Sequence, residues 1–322
     1  MQISALSDLL EGELLNTPFI SFVTQFHTQL SKIHEGDAFF TSNEDDIEKA
    51  IDAGAFAIIV DFDTEITDTE IAWFRVDDLE SAITRILRYK LLQKNMTFVH
   101  TSTILYNMLL LLKTKEFNKN SLFLSNNLKN NFEILIQEND KTIYSKDINF
   151  INLISTNIID SNKEKDVTNS VKNLIVHSLF EISFSYKDVF YDKIRLSRLY
   201  LNEFVEAIDI LKDEENIKKI SYFGFMKPIF LNKSNEIIPY GQSNRFILTG
   251  KNEEISKKEI SFIKEYYTYA KLVVKEAKNL TDEDILKDIK KLDFNVLYIK
   301  NKNVEQITNI LENDISLTDS LF

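Results

Sequence analysis

Between Ile33 and Asp61 short apolar runs alternate with turn residues at a spacing that predicts strand, helix, strand. Glu35-Gly36-Asp37 reads as a tight turn, and Ala38-Phe39-Phe40 starts a strand. Asn43 is placed to cap a helix whose apolar positions Ile47, Ala50 and Ile51 share one face. Gly54 falls where a left-handed C-terminal cap is wanted, and Phe56 to Val60 reads as a short buried strand. Ala72 to Val76 predicts another strand. Asp77 or Asp78 then caps a helix with Leu79, Ala82, Ile83, Ile86, Leu87 and Leu91 on one stripe.

Further along, Met96 to Val99 predicts a short strand and Ile104 to Lys113 an apolar helix. Phe117 to Ser155 is rich in Asn and Lys, with β-like runs at Leu122-Phe123-Leu124 and Phe132 to Gln137, and a strand is expected at Leu153 to Ile159. Asp160 to Asp166 reads as a charged loop. Within Leu174 to Tyr191, Phe180, Ile182, Phe184 and Tyr186 alternate with Glu181, Ser183, Ser185 and Lys187, a strand with one buried face. Tyr200 to Lys212 predicts a helix. Pro228 to Leu231, Glu236 to Tyr240 and Phe246 to Thr249 form an expected meander. Ser256 and Glu259 have capping-box spacing, opening an expected helix that runs through Val274. Thr281 and Asp284 repeat the device. Asn295 to Lys300 predicts a strand, Asn303 caps a last helix, and Asp314 to Phe322 is expected to fray.

Composition narrows what this pattern can be. The 322 residues are 44% hydrophobic and 27% charged, as in a soluble globular chain long enough for two or three cores. With no cysteine, disulfides, thiolate metal sites and cysteine nucleophiles are excluded. The apolar run at Ile104 to Leu112 is far shorter than the roughly 20 residues of a membrane span. No basic region precedes an apolar run at the N-terminus, so a cytoplasmic protein is expected. The formal charge of −12 lies wholly in residues 1–92, which hold 18 acids against 6 bases. Such a segment repels polyanions, and nucleic-acid binding is not expected there.

The order Gly36-Asp37, aromatic strand, Ala50-Ile51 with Gly54-Ala55, and apolar strand resembles the N-terminal domain of the Mur ligases. These bacterial enzymes add amino acids to UDP-N-acetylmuramic acid in peptidoglycan synthesis. The resemblance implies an α/β fold in three parts. These are a small N-terminal α/β domain (residues 1–92), a reduced central P-loop-type domain (93–215) and a C-terminal Rossmann-like domain (216–322). It also makes Gly36, Asp37, Phe39, Asn43, Gly54 and Ala55 candidate substrate-binding residues.

The family's central domain opens with a strand and a glycine-rich loop ending in Gly-Lys-Thr. Glycines let backbone N–H groups approach phosphate oxygens, and the lysine reaches the outer phosphates. The matching segment, Met96 to Ile104, keeps strand and helix. The loop between them, His100-Thr101-Ser102-Thr103, has no glycine and no lysine and is several residues shorter. The family's Asp-Ser-Arg motif would fall on Gln29-Leu30-Ser31 and is absent, and Glu181 is the nearest stand-in for its central metal-binding glutamate. His27, His34, His100 and His177 show no metal-ligand spacing, so no metal site is expected. Arg245, beside the turn Gly241 to Asn244, is a candidate anion contact.

Together these features predict a degenerate Mur-ligase relative, a pseudoenzyme with no catalytic residue and no cofactor. It would bind a UDP-muramyl precursor or a cell-wall synthesis protein. An altered but active peptide ligase would instead need ATP and Mg, with a cation supplied by Lys94, Lys129 or Arg245. A third expectation is a protein–protein interaction scaffold.

Overall fold

The computed structural model describes residues 1–161, 170–213, 217 and 225–319, the last six by backbone alone. The chain divides into two compact units, Met1–Lys165 and Asp166–Phe322.

The first unit holds two sheets. One comprises β1 (Glu13–Leu14), β2 (Phe26–His27), β3 (Ala38–Thr41), β4 (Ala57–Val60) and β5 (Ala72–Arg75), in the order β1-β5-β4-β3-β2. All neighbours are parallel except β1 and β5. Every residue of β3 and β4 is buried, the pattern of a parallel sheet covered on both faces. Phe39, Ile58, Val60 and Trp73 pack on one side with α2 (Ile47–Asp52). Phe40, Ile59 and Phe74 face the other, toward α1 (Ile3–Leu10) and α3 (Leu79–Leu91). Asp78 caps α3 by accepting the Ser81 N–H at 2.9 Å, and the six apolar positions expected on its stripe are all buried.

The second sheet is wholly parallel, with β6 (Thr97–His100), β7 (Ser121–Phe123), β8 (Thr142–Ser145) and β9 (Ile158–Asp160) in the order β7-β8-β6-β9. Its connections run through α4 (Thr103–Leu112), α5 (Lys115–Asn120), α6 (Leu128–Gln137) and α7 (Ile148–Ile154). Helix α3 packs against α6 and α7. One continuous core therefore runs from Phe40 and Phe74 through Ile83, Phe132 and Ile151 to Ile143. Phe40 meets Phe132 edge-on with ring centroids 5.9 Å apart.

Two expectations are corrected here. Phe132 to Gln137 is not a strand but the end of α6, which Asn127 caps by accepting the Asn130 N–H. Phe132 and Leu135, three apart, bury together on one helical face, a spacing that a short apolar run disguises. Leu153 and Ile154 likewise finish α7, and only Ile158 and Ile159 of the expected strand pair with β6.

The second unit begins with an antiparallel sheet of β10 (Lys172–Ser178), β11 (Glu181–Tyr186) and β12 (Val189–Ile194). Lys187 and Asp188, both at positive φ, make its two-residue hairpin turn. Ser183, expected on the open face, is buried. Its hydroxyl accepts from the Lys193 N–H at 2.8 Å and donates to Asp192 at 3.1 Å. Helix α8 (Leu201–Leu211) follows as expected.

A second sheet has the order β13-β14-β16-β15, from β13 (Ile229–Phe230), β14 (Phe246–Gly250), β15 (Leu272–Glu276) and β16 (Val296–Lys300). β14, β16 and β15 are parallel and β13 is antiparallel. Helices α9 (Glu253–Tyr266) and α10 (Asp282–Lys291) make the crossovers of a Rossmann-like unit, and α11 (Val304–Asp319) follows β16. Thr281 and Asp284 form the expected capping box. The meander keeps its two outer strands. Its middle segment contributes only a bridge between Leu231 and Ile237, because β14 takes β16 as its other neighbour. Ser256 and Glu259 do not open α9. Asn252 does, and both residues lie buried inside the helix. The helix stops at Tyr266, and Val274 belongs to β15. Part of the charged loop, the expected domain boundary at 215/216 and residues 320–322 lie outside the described residues.

Two local features yield measurable expectations. Gly54 has φ +97°, and an added Cβ would lie 2.8 Å from the Glu35 Cα. Gly54→Ala is expected to destabilise the protein by more than about 1 kcal/mol in urea unfolding, since it strains the backbone and meets a neighbour that cannot rotate away. Glu259 receives hydrogen bonds from the hydroxyls of Tyr200 and Tyr298. Burial raises its pKa above the ordinary glutamate value, opposed only in part by these bonds. Above that ordinary value the folded state holds a proton the unfolded state has released, so stability falls as pH rises through the folded pKa. Glu259→Gln does not titrate. From about pH 4 to pH 8, the stability of wild type relative to Glu259→Gln should decline, as read from unfolding midpoints.

Candidate functional site

In parallel α/β sheets ligands bind beyond the carboxyl ends of strands, where successive crossovers leave in opposite directions. In the order β7-β8-β6-β9 that point lies between β8 and β6. The residues there are His100, Thr101, Ser102 and Ser145. Only Thr101 and Ser102 connect β6 to α4. The Thr101 N–H donates to the Ser145 carbonyl at 2.9 Å, and the Thr101 hydroxyl donates to the same oxygen at 3.4 Å. Thr101 is 1% exposed. Ser102 caps α4, its hydroxyl oxygen accepting the Leu105 N–H at 3.1 Å. His100 Nδ1 lies 3.0 Å from an Asp160 carboxylate oxygen, and Ser161 donates its N–H and hydroxyl to the His100 carbonyl. The Thr101 N–H and hydroxyl are thus committed to Ser145, and the Ser102 hydroxyl oxygen to the first turn of α4.

Two of the three cations considered as substitutes for a loop lysine, Lys94 and Arg245, are engaged elsewhere. Lys94 donates to the carbonyls of Leu135, Ile136 and Glu138, closing the C-terminal end of α6. Burial, with Lys90 nearby, lowers its pKa. Lys129 is exposed in the first turn of the same helix, about 10 Å along the axis at 1.5 Å per residue. Arg245 donates to Asn235 Oδ1 at 2.6 Å and to the Ile289 carbonyl at 3.0 Å, with its guanidinium 4.1 Å from the centroid of the Phe294 ring. These contacts tie the Asn232 to Asn235 turn to the end of α10.

The residues singled out near the N-terminus divide by role. Gly36 and Gly54 are brought together, the Gly36 N–H donating to the Gly54 carbonyl at 2.9 Å. Phe39 and Ala55 are buried in the core around α2. Asn43 is exposed and caps the turn before α2. Asp37 is buried and leads into a network that sequence spacing did not reveal. One of its oxygens accepts from the Thr24 hydroxyl and the Gln25 N–H, and the other from the His34 N–H at 3.0 Å. That second oxygen lies 3.3 Å from His27 Nε2. His27 Nδ1 in turn lies 3.0 Å from Glu133 Oε2 on α6. The other Glu133 oxygen accepts from the Thr28 N–H and hydroxyl. One imidazole therefore bridges two buried carboxylates, one from each sheet layer of the first unit.

Burial would raise the Glu133 pKa, but hydrogen bonds from His27 and Thr28 outweigh it and hold the pKa below the ordinary glutamate value. The only sequence signal for this network was the His34-x-x-Asp37 spacing, since Glu133 is 106 residues from His27. In the second unit, a cleft of about 460 Å³ is lined by Phe180, Phe230, Tyr240, Phe246, Tyr267 and Tyr269. Glu181, the nearest stand-in for a metal-binding glutamate, is half-buried at the start of β11. Truncating Glu133 to Ala leaves His27 Nδ1 and the Thr28 N–H without their acceptor inside the protein. Chemical denaturation of Glu133→Ala should show a loss of about 1–3 kcal/mol or more, the cost of leaving buried hydrogen-bonding groups unsatisfied.

No known family profile matches this sequence, and no curated protein matches it. Solved structures do match. A MurF ligase from Thermotoga maritima in complex with ADP aligns at TM-score 0.52 and 13% identity over 97% of this chain and 99% of that one. MurF from Acinetobacter baumannii aligns at TM-score 0.54 and 10% identity over 97% and 98%. At such identities the likeness speaks for backbone architecture alone, and that architecture is the Mur-ligase fold.

Proposed function

We propose that this chain is a Mur-ligase-fold protein of peptidoglycan metabolism that has given up ATP-dependent ligation and acts as a binding or regulatory factor. The connection between β6 and α4 carries this reading. Two residues, Thr101 and Ser102, replace the glycine-rich loop, and their hydrogen bonds go to Ser145 and to the first turn of α4. A phosphate cradle needs several backbone N–H groups turned toward one point and an ammonium at its rim. Neither Thr101 nor Ser102 can supply that ammonium, and the Thr101 N–H is already committed.

The reading as a binding factor draws on the aromatic cleft in the second unit. Six aromatic rings around about 460 Å³ offer apolar surface of the kind that ligand pockets present. The proposed ligand is a UDP-muramyl precursor, with a cell-wall synthesis protein as the alternative partner. The candidate residues Gly36, Asp37, Asn43 and Gly54, the three-domain division and a cytoplasmic setting belong to the same proposal. An active ligase with ATP and Mg is disfavoured by Lys94 and Arg245, whose donors are taken up by backbone carbonyls and Asn235.

Thermal unfolding with millimolar ATP and Mg should show no shift in midpoint. Calorimetric titration with a UDP-N-acetylmuramoyl peptide should show saturable binding. ATP-dependent turnover of that peptide would sink the proposal, and absence of any binding would remove the precursor as its ligand.

A further inference from the structure

The cluster around Asp37 brings three side chains that can ligate a metal to one point. His27 Nε2, His34 Nδ1 and an Asp37 carboxylate oxygen all lie within 4.8 Å of one another. The His27 to Asp37 separation is 3.3 Å and the His34 to Asp37 separation 3.8 Å. A tetrahedral zinc ion with bonds of about 2.0–2.1 Å holds its ligand atoms about 3.3–3.4 Å apart. One edge of such a tetrahedron is therefore already in place. The His34 side chain is 83% exposed, free of the packing that would stop it from closing the remaining gap.

The surroundings are those of a ligand set rather than a chance approach. Metal-bound histidines donate their second ring N–H to a carboxylate or carbonyl, which fixes the ring and the tautomer. Glu133 sits 3.0 Å from His27 Nδ1 and leaves Nε2 as the coordinating atom. Asp37 is oriented in the same way by the Thr24 hydroxyl and the N–H groups of Gln25 and His34. Two buried carboxylates share a single imidazole, so the site holds an excess of negative charge that a divalent cation would neutralise.

We propose that His27, His34 and Asp37 form a binding site for a divalent transition-metal ion, with Glu133 as the outer-shell partner of His27. Two imidazoles and one carboxylate favour zinc, cobalt or nickel over magnesium or calcium, which prefer all-oxygen sets. Three protein ligands leave a fourth position, open on the exposed His34 side to water or a small ligand. Metal binding would tie the loop carrying His34 to β2. This inference is independent of the proposed loss of ligation.

The test uses the full chain, stripped with chelator and titrated with zinc by calorimetry and with cobalt by visible absorption. One equivalent of zinc should bind, and cobalt should give the ligand-field bands of a four- or five-coordinate ion. His34→Ala removes an exposed side chain and should fold as wild type does. It should weaken zinc binding by more than about 10-fold, the size that loss of an outer-shell partner alone reaches. Asp37→Asn should weaken it comparably in a sample whose unfolding remains cooperative. Absence of zinc binding by wild type, or equal binding by wild type and His34→Ala, would overturn the assignment.

Discussion

The first unit depends on a shared helical layer. Sheet β1–β5 has one apolar face covered by α2, and its other face would lie open without α1 and α3. The second sheet has the same need, and α6 and α7 meet it while packing on α3. Apolar burial at roughly 25 cal/mol per Å² makes this common layer a major stabilising term. It also fixes where the polar groups can go. His27, Asp37 and Glu133 sit buried at the seam between the sheet and α6. They are tolerated there because each carboxylate accepts several hydrogen bonds and the imidazole bridges the two. The carboxylate–imidazole–carboxylate arrangement is thus a product of the joint, and so is the metal geometry it offers.

The same economy of polar groups explains the state of the crevice between β8 and β6. A phosphate loop keeps backbone N–H groups unpaired until a ligand arrives, which is costly in a buried place. Here the two-residue connection directs the Thr101 N–H to the Ser145 carbonyl and the Leu105 N–H to the Ser102 hydroxyl oxygen, while Ser161 donates to the His100 carbonyl. Glu259 in the second unit is a different case. Its two tyrosine partners satisfy its oxygens without a countercharge, so burial dominates and its pKa rises.

Where local pattern and burial agree, the elements were legible. The stripe on α3, the caps at Asp78 and Thr281, the left-handed Gly54 and the strands β3, β4 and β16 all follow from spacing and cap chemistry. Where short apolar runs admit two periods, the reading failed. Phe132 to Gln137 is helix, because Asn127 provides a cap and α3 a partner surface. Val274 is strand, because β16 provides an edge for β15. Ser183 and Ser256 were placed by alternation or cap spacing, but both are buried.

By itself the sequence determined the α/β class, the lack of thiol chemistry, the acidic N-terminal part and the absence of glycine and lysine from the connection after β6. These are statements about which residues are present and how near neighbours repeat, and local periodicity carries them. Only the tertiary structure decided that Lys94 and Arg245 are engaged, that α6 packs on α3, and that His27 lies between Asp37 and Glu133. Each of those depends on contacts between residues tens to a hundred positions apart. Such contacts are selected by the burial of whole sheet faces, and no window along the chain contains them. The turn from Glu35 to Asp37 was visible from the start as a piece of backbone. Its carboxylate acquired a chemical meaning only when the fold set it beside His27.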